Sequence, residues 1–197
     1  MRPNESMKTT AKLCLLAFLF AVGAVDAEWT YKTTEDGQFK LGRDGPNLSV
    51  EFRSIIVTFR VPDDWQISSC IDEPMDFIFT ADSSPKGLSL AFTVDANASH
   101  LSLARLYDSH LKHIHEYYDD KVRMTAEAPF RLRDGRRLTP RRYFSDYWGQ
   151  RLVLLIPEGD YTCQFEFTGR RSLSDLRASH AAIQRILDSY QCSHKAR

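Results

Sequence analysis

The stretch YTCQFEF, residues 161–167, points most directly to the fold class. Aromatic residues or cysteine alternate along it with Thr162, Gln164 and Glu166. This period of two is typical of a half-buried strand in an antiparallel sheet, with one face on the core and the other in water. We therefore expect a sheet of antiparallel strands to form the centre of the molecule.

Further strands are predicted on both sides of this stretch. The segment SIIVTFRV, residues 54–61, has the same period and ends before Pro62, which cannot continue a hydrogen-bonded ladder. Residues 68–74 are predicted to form a loop. The other predicted strands are 76–81, 87–94, 122–126, 138–147 and 151–156, together with an opening hairpin over 29–41.

Two segments change to the helical period. Residues 99–119 and 172–190 both place apolar side chains three and four positions apart, which gives each helix one apolar face. The order of elements is strands, a helix, more strands and a closing helix. This order predicts the α+β class, with a mostly antiparallel sheet packed by two long helices. We expect a single domain over residues 28–197, after an N-terminal signal peptide.

The first 27 residues predict that signal peptide. A basic start is followed by thirteen apolar residues, Leu13–Val25, and then by small residues suited to cleavage. A membrane-spanning helix needs roughly 20 apolar residues, so we expect no integral membrane segment in the mature chain. Cleavage after Ala24 or Ala27 and a start at Met1 or Met7 are all open, and an uncleaved N-terminal anchor is the alternative to a signal peptide. We expect an exported protein, in the periplasm or outside the cell.

Composition excludes several functional classes. Lys and Arg number 26, and so do Asp and Glu, so the formal net charge is zero. This balance argues against a nucleic-acid partner, because binding to nucleic acid needs an excess of basic residues. No nucleophile elbow, phosphate-binding loop or other catalytic motif is present. We expect a binding protein without a cofactor, and an enzyme lacking a recognisable motif is one alternative.

The turn after the strand at 54–61 carries a resemblance. In FRVPDDW, residues 59–65, a strand ends in a Pro-acidic turn followed by Trp65. This motif and the order of elements over roughly residues 50–190 resemble the PsbP/Mog1/DcrB-like fold group, which includes exported bacterial proteins. The resemblance implies that fold and a non-enzymatic binding or accessory role. It carries over no catalytic residues, and the chain lacks the cysteine by which anchored members of the group attach to lipid.

An arginine- and aromatic-rich segment, residues 130–148, is the first candidate site. Arginine forks bind carboxylate, sulfate or phosphate, and aromatic faces can hold sugars. We expect a contact surface here for an envelope or extracellular protein, a glycan or a small anion. Pairing of these arginines with nearby acids such as Asp134 is the alternative. The predicted ligand-binding residues are Arg136, Arg137, Arg141, Arg142, Tyr143 and Trp148.

Histidines on the first predicted helix form the second candidate site. His110 and His113 lie about 60° apart around the helix axis, close enough to share a metal ion that a third ligand would complete. A hydrogen-bonded core histidine is the alternative. His180 on the second helix could meet His110 or lie on another face of the sheet. Such a meeting would make a metal- or pH-responsive site.

Cysteines are the third feature. Beyond the predicted signal peptide three remain, and an oxidising compartment favours one disulfide and one spare thiol. The strand around Cys163 suits a buried thiol, so a disulfide between Cys70 and Cys192 is predicted. Other pairings and three free thiols are open alternatives.

Overall fold

The computed structural model describes residues 30–33, 39–69, 79–82, 88–97, 99–117, 121–146, 149–169 and 179–195. Within these ranges lie fourteen strands and two helices. The helices are α1 (Leu103–Tyr117) and α2 (His180–Ser189). The strands are β1 (Thr30–Thr33), β2 (Phe39–Asp44), β3 (Asn47–Phe52), β4 (Ile55–Arg60), β5 (Gln66–Ser69), β6 (Phe79–Asp82), β7 (Leu88–Ala96), β8 (Arg123–Ala126), β9 (Phe130–Arg131), β10 (Arg137–Leu138), β11 (Arg141–Ser145), β12 (Gly149–Glu158), β13 (Tyr161–Gly169) and β14 (Gln191–His194).

Every strand pair among the described residues is antiparallel, which confirms the α+β prediction. One sheet has five strands in the order β1-β2-β3-β4-β14, and a second has seven in the order β5-β6-β7-β13-β12-β11-β8. Strands β9 and β10 form a separate hairpin. The pairing of β1 with β2 is the predicted opening hairpin.

The main core lies between the two large sheets. The ring of Phe59 on β4 lies 5.0 Å from Phe92 on β7 and 4.9 Å from Phe165 on β13, measured between centroids. Helix α2 adds Ile183 and Ile186 to this core, where both are fully buried. The strands therefore form two sheets packed face to face, not the one sheet that the sequence led us to expect.

Helix α1 covers the opposite face of the seven-stranded sheet. Its Tyr107 and Ile114 pack with Tyr143, Val153 and Leu155 in a second apolar cluster. Because side chains alternate along a strand, β12 supplies both clusters. The two helices therefore lie on opposite faces of this sheet. Neither helix in the described part of the chain is long and apolar enough to cross a membrane.

The central strand β13 is buried on both faces. All seven residues of 161–167 are buried, including the polar Thr162, Gln164 and Glu166. The prediction of a half-buried strand was wrong because β13 lies between β7 and β12, with its polar face toward α1. Hydrogen bonds and an ion pair compensate part of the cost of burying these polar groups.

The predicted strand 138–147 is interrupted at Thr139-Pro140, which separates β10 from β11. Proline has no N–H to donate to a ladder. Where the β11–β12 ladder stops, the hydroxyl of Tyr107 on α1 accepts from the Leu155 N–H at 3.1 Å. It shares its own hydrogen between the Val153 carbonyl at 3.2 Å and the Thr139 carbonyl at 3.3 Å. The helix thereby completes the edge of β12.

Other boundaries differ from the predictions at particular places. Strand β5 extends into the predicted loop at 68–74, and β14 was not predicted at all. Helix α1 begins at Leu103, later than the predicted start at 99, and residues 118–120 lie outside the described ranges. The described part of the second helix, α2, lies within the predicted 172–190, and residues 170–178 are outside the described ranges.

Candidate functional site

The β9–β10 hairpin presents arginines on a buried base. Phe130, Leu132 and Leu138 are each 4% exposed or less and belong to the main core. Arg131 on β9 and Arg137 on β10 are direct cross-strand partners. Side chains of directly opposed residues lie on one face, with Cβ atoms roughly 5 Å apart. Two guanidinium groups therefore project together from the hairpin.

Arg136 anchors the hairpin to the turn between β12 and β13. Its guanidinium lies 2.7 Å from Asp134 and 2.7 Å from Glu158, and it donates to the Pro157 carbonyl at 3.1 Å. Burial by itself would lower the pKa of Arg136, but hydrogen bonds to Glu158 and Asp134 raise it above its usual value. Glu158 also accepts a hydrogen bond from the Tyr190 hydroxyl at 2.9 Å. Arg136 is thus a structural residue.

Helix α2 holds the hairpin from the other side. The Gln184 amide donates to the Arg131 carbonyl at 2.7 Å, and its oxygen accepts from the Arg131 N–H at 3.5 Å. The His180 ring stacks on Phe130 with 4.4 Å between centroids. These contacts fix the backbone of the hairpin and leave its arginine side chains in solvent.

Three arginines of the hairpin have no acidic partner among the described residues. Arg131, Arg133 and Arg137 are exposed, and none has an ion pair or side-chain hydrogen bond within the described part of the chain. Like charges placed directly across two strands destabilise the pair. Arg131 and Arg137 therefore cost folding free energy, and no compensating contact is found among the described residues.

The other predicted contact residues lie elsewhere. Arg142 is buried and pairs with Glu127 at 3.0 Å, and Tyr143 is fully buried under α1. Arg141 is half-buried, with its guanidinium 5.4 Å from the Tyr107 ring centroid. Trp148 lies outside the described residues. The predicted surface is therefore split, because alternation along β11 sends neighbouring side chains to opposite faces of the sheet.

The histidines of α1 and α2 do not meet, because their helices cover opposite faces of the seven-stranded sheet. His110 packs edge-on against Tyr143, 5.1 Å between centroids, and its Nε2 lies 3.4 Å from the Gln164 amide nitrogen. Burial lowers the pKa of His110 to about 4, helped by nearby His113 and Arg151. Within the described ranges no three His, Cys, Asp or Glu side chains gather as a metal site. Metal binding by His110 and His113 stays a prediction.

The face under α1 also holds Arg151 and Glu166, which the sequence analysis did not single out, beside Tyr143 and His110, which it did. Arg151 pairs with Glu166 at 2.6 Å, and Glu166 is buried. The Tyr143 hydroxyl and His110 Nδ1 are buried, and neither has a hydrogen-bond partner among the described residues. In the sequence, the burial of Glu166 was indicated only by its place among the alternating polar residues of β13. That pattern is equally typical of side chains that face solvent.

Among the described residues, Cys163 and Cys192 both have free thiols. Burial raises the pKa of Cys163 above its ordinary value and that of Cys192 to about 11, so both stay protonated near neutral pH. Cys70 lies outside the described residues. The predicted disulfide between Cys70 and Cys192 therefore has no support in the structure.

Comparison with known proteins gives a similarity of fold. No family model and no curated protein matches this sequence. The fold is similar to the solution structure of cyanobacterial PsbP (CyanoP) from Synechocystis sp. PCC 6803, with 10% identity and a TM-score of 0.49. The match covers 87% of this chain and 96% of that one. At this level the similarity concerns the fold and assigns no function to the chain.

Proposed function

We propose that this chain is an exported, non-enzymatic binding or accessory protein that recognises an anionic group through the β9–β10 hairpin. The observation that carries the proposal is the pair Arg131 and Arg137, directly opposed, exposed and without an acid partner in the described ranges. Two adjacent guanidinium forks suit a carboxylate, sulfate or phosphate. The partner is an envelope or extracellular protein, a glycan or a small anion.

Rigidity of the hairpin supports this role. Arg136 and Gln184 hold its backbone from two sides, so little conformational entropy is lost when a partner binds. Arg137 belongs to the predicted contact residues, and Arg131 and Arg133 lie in the same arginine-rich segment. Arg136, Arg142 and Tyr143 are assigned to the support of the fold.

Retention on heparin, a sulfated glycan, tests the site. We expect the wild type to be retained at low salt although its net charge is zero, and Arg131→Gln with Arg137→Gln to elute at clearly lower salt. Arg105→Gln removes one exposed arginine from α1 and is the control for the loss of a positive charge outside the hairpin. The double variant should also be a few tenths of a kcal/mol more stable, because the like-charge repulsion is gone.

Two results would contradict the hairpin site: no retention of the wild type at low salt, or an equal loss of retention in Arg105→Gln. Polyglutamate in place of heparin distinguishes a carboxylate partner from a sulfated one.

Export is tested separately by the intact mass of protein recovered from the exported fraction. The measured mass should correspond to a chain that begins at Glu28, or at Val25 if cleavage follows Ala24. A mass that includes residues 1–27 would contradict export.

A further inference from the structure

A groove between the β4–β5 turn and α2 plays no part in the hairpin site. It has a volume of about 420 Å³, within the size range of small-molecule sites. The turn is closed by a hydrogen bond from the Trp65 N–H to the Pro62 carbonyl at 3.1 Å. The lining residues on the turn side are Arg60, Val61, Pro62, Asp63 and Asp64, and those on α2 are Arg185, Ile186 and Ser189.

The walls of the groove are joined before any ligand binds. The Arg60 N–H donates to Ser189 Oγ at 2.8 Å, and that hydroxyl donates to the Ile186 carbonyl at 2.6 Å. The end of β4 and the end of α2 are thereby held together. Of the apolar residues in the lining, Val61 and Ile186 are fully buried and Pro62 is half-buried, so Pro62 presents the accessible apolar surface.

The charges that line the groove balance, since two arginines, Arg60 and Arg185, stand against Asp63 and Asp64. Arg60 pairs with Asp63 at 2.7 Å. Arg185 and Asp64 are exposed, and neither side chain has an ion pair or hydrogen bond among the described residues. The groove thus offers one available guanidinium and one available carboxylate, and a ligand carrying only one charge would meet both signs.

We propose that this groove binds a small zwitterion of the amino-acid or short-peptide class. The carboxylate of the ligand meets Arg185, whose planar fork suits it, and its ammonium group donates to Asp64. An apolar side chain of the ligand covers Pro62, the half-buried apolar residue of the lining. Because its residues are distinct from the hairpin arginines, this site is independent of the anion-binding function.

Titration of the ¹⁵N-labelled full chain with leucyl-leucine tests the proposal by nuclear magnetic resonance. We expect saturable shifts at the amides of Val61, Asp64 and Ile186. Capping either terminus of the dipeptide should weaken binding about tenfold, because one charge-assisted contact is lost. Arg185→Gln should weaken binding of the free dipeptide by a similar factor and leave binding of the amide-capped form unchanged.

Asp64→Asn should show the converse selectivity, with a loss for the free dipeptide and none for the N-acetylated form. Arg105→Gln and Asp146→Asn, each changing one exposed charge elsewhere, should bind as the wild type does. Arg131→Gln with Arg137→Gln should also bind normally, so failure of the hairpin site is distinguishable. The proposal is overturned if the wild type shows no saturable shifts, or if capped and free dipeptides bind equally.

Discussion

Arg136 and Arg137 are neighbours in the chain with different roles. Arg136 points toward the β12–β13 turn and is held by Asp134 and Glu158, whereas Arg137 is exposed opposite Arg131. Consecutive side chains of an extended backbone point to opposite sides, which is enough to separate an anchor from a contact residue. Replacing all the arginines of the segment together would therefore confuse loss of binding with loss of support.

His110 is the residue whose protonation the fold opposes most clearly. It lies between α1 and the polar face of β13, and its pKa falls to about 4 from 6.5 because burial disfavours the charged form. Gln164 donates to its Nε2, which leaves the proton of the neutral ring on Nδ1. The ring is therefore neutral at physiological pH.

This burial predicts a stability loss in mild acid. Between about pH 6.5 and 4 the unfolded chain binds a proton at His110 and the folded chain does not, so stability falls as the pH is lowered through that window. Between pH 7 and pH 5 the loss is about 2 kcal/mol, since each pKa unit corresponds to about 1.4 kcal/mol. Urea unfolding at pH 7 and pH 5 measures it, and His110→Gln should flatten the difference between the two values.

His194→Gln is the control, since His194 is exposed on β14, away from α1. It should retain the pH dependence of the wild type. An identical pH dependence in His110→Gln and the wild type would show that His110 does not couple folding to protons.

At the scale of elements, the β9–β10 hairpin depends on contacts beyond its own strands. The two strands have only two residues each, and isolated hairpins of this size are marginal in water. Arg136, Gln184 and the buried Phe130 and Leu138 supply the missing stability. The hairpin is therefore ordered by what it packs against.

Arg136→Gln should loosen this hairpin. It removes the ion pair with Glu158, whose side chain is 13% exposed, and leaves that carboxylate with poorer compensation. We expect a loss of roughly 1–3 kcal/mol in the free energy of unfolding. Hydrogen exchange should accelerate at the Leu132 N–H, which bonds to the Arg136 carbonyl.

Arg133→Gln changes an exposed arginine of the same turn and is the control for this effect. It should leave both the unfolding free energy and the exchange at Leu132 within error of the wild type. An unchanged hydrogen-exchange rate at Leu132 in Arg136→Gln would instead mean that α2 and the buried Phe130 and Leu138 order the hairpin without Arg136.

At the scale of the whole molecule, stability rests on the contact between the two sheets. Phe59, Phe92 and Phe165 join β4 to β7 and β13 with centroid distances of 4.8 to 5.0 Å. Aromatic pairs at such distances add to the free energy of apolar burial. Residues far apart in the chain thus decide whether the sheets stay together.

Phe59→Ala should cost about 3–5 kcal/mol in the free energy of unfolding, because it leaves a cavity between the sheets. Ile56→Ala, on the other face of β4 and only half-buried, should cost clearly less. Chemical denaturation of both variants gives the comparison. Equal losses would mean that the sheet contact does not dominate stability.

The sequence predicted the class of the fold because alternation and helical period are local properties. The alternation within residues 54–61 and 161–167 was enough to predict a strand in each. The helical period within 99–119 was enough to predict most of α1. The break at Pro140 could have been inferred, because proline has no N–H. The hydroxyl of Tyr107 that lies at this break could not, because Tyr107 precedes that proline by 33 residues in the chain. Short strands such as β14 had no pattern long enough to recognise.

By itself the sequence therefore determined an antiparallel α+β protein with an arginine-rich hairpin and histidine-bearing helices. The tertiary structure decided which arginines face solvent, that His110 and His180 lie on opposite sides of a sheet, and that Asp64 and Arg185 line one groove. The reason is physical: period depends on neighbours in the chain, whereas burial, ion pairing and grooves depend on which distant segment packs against each face.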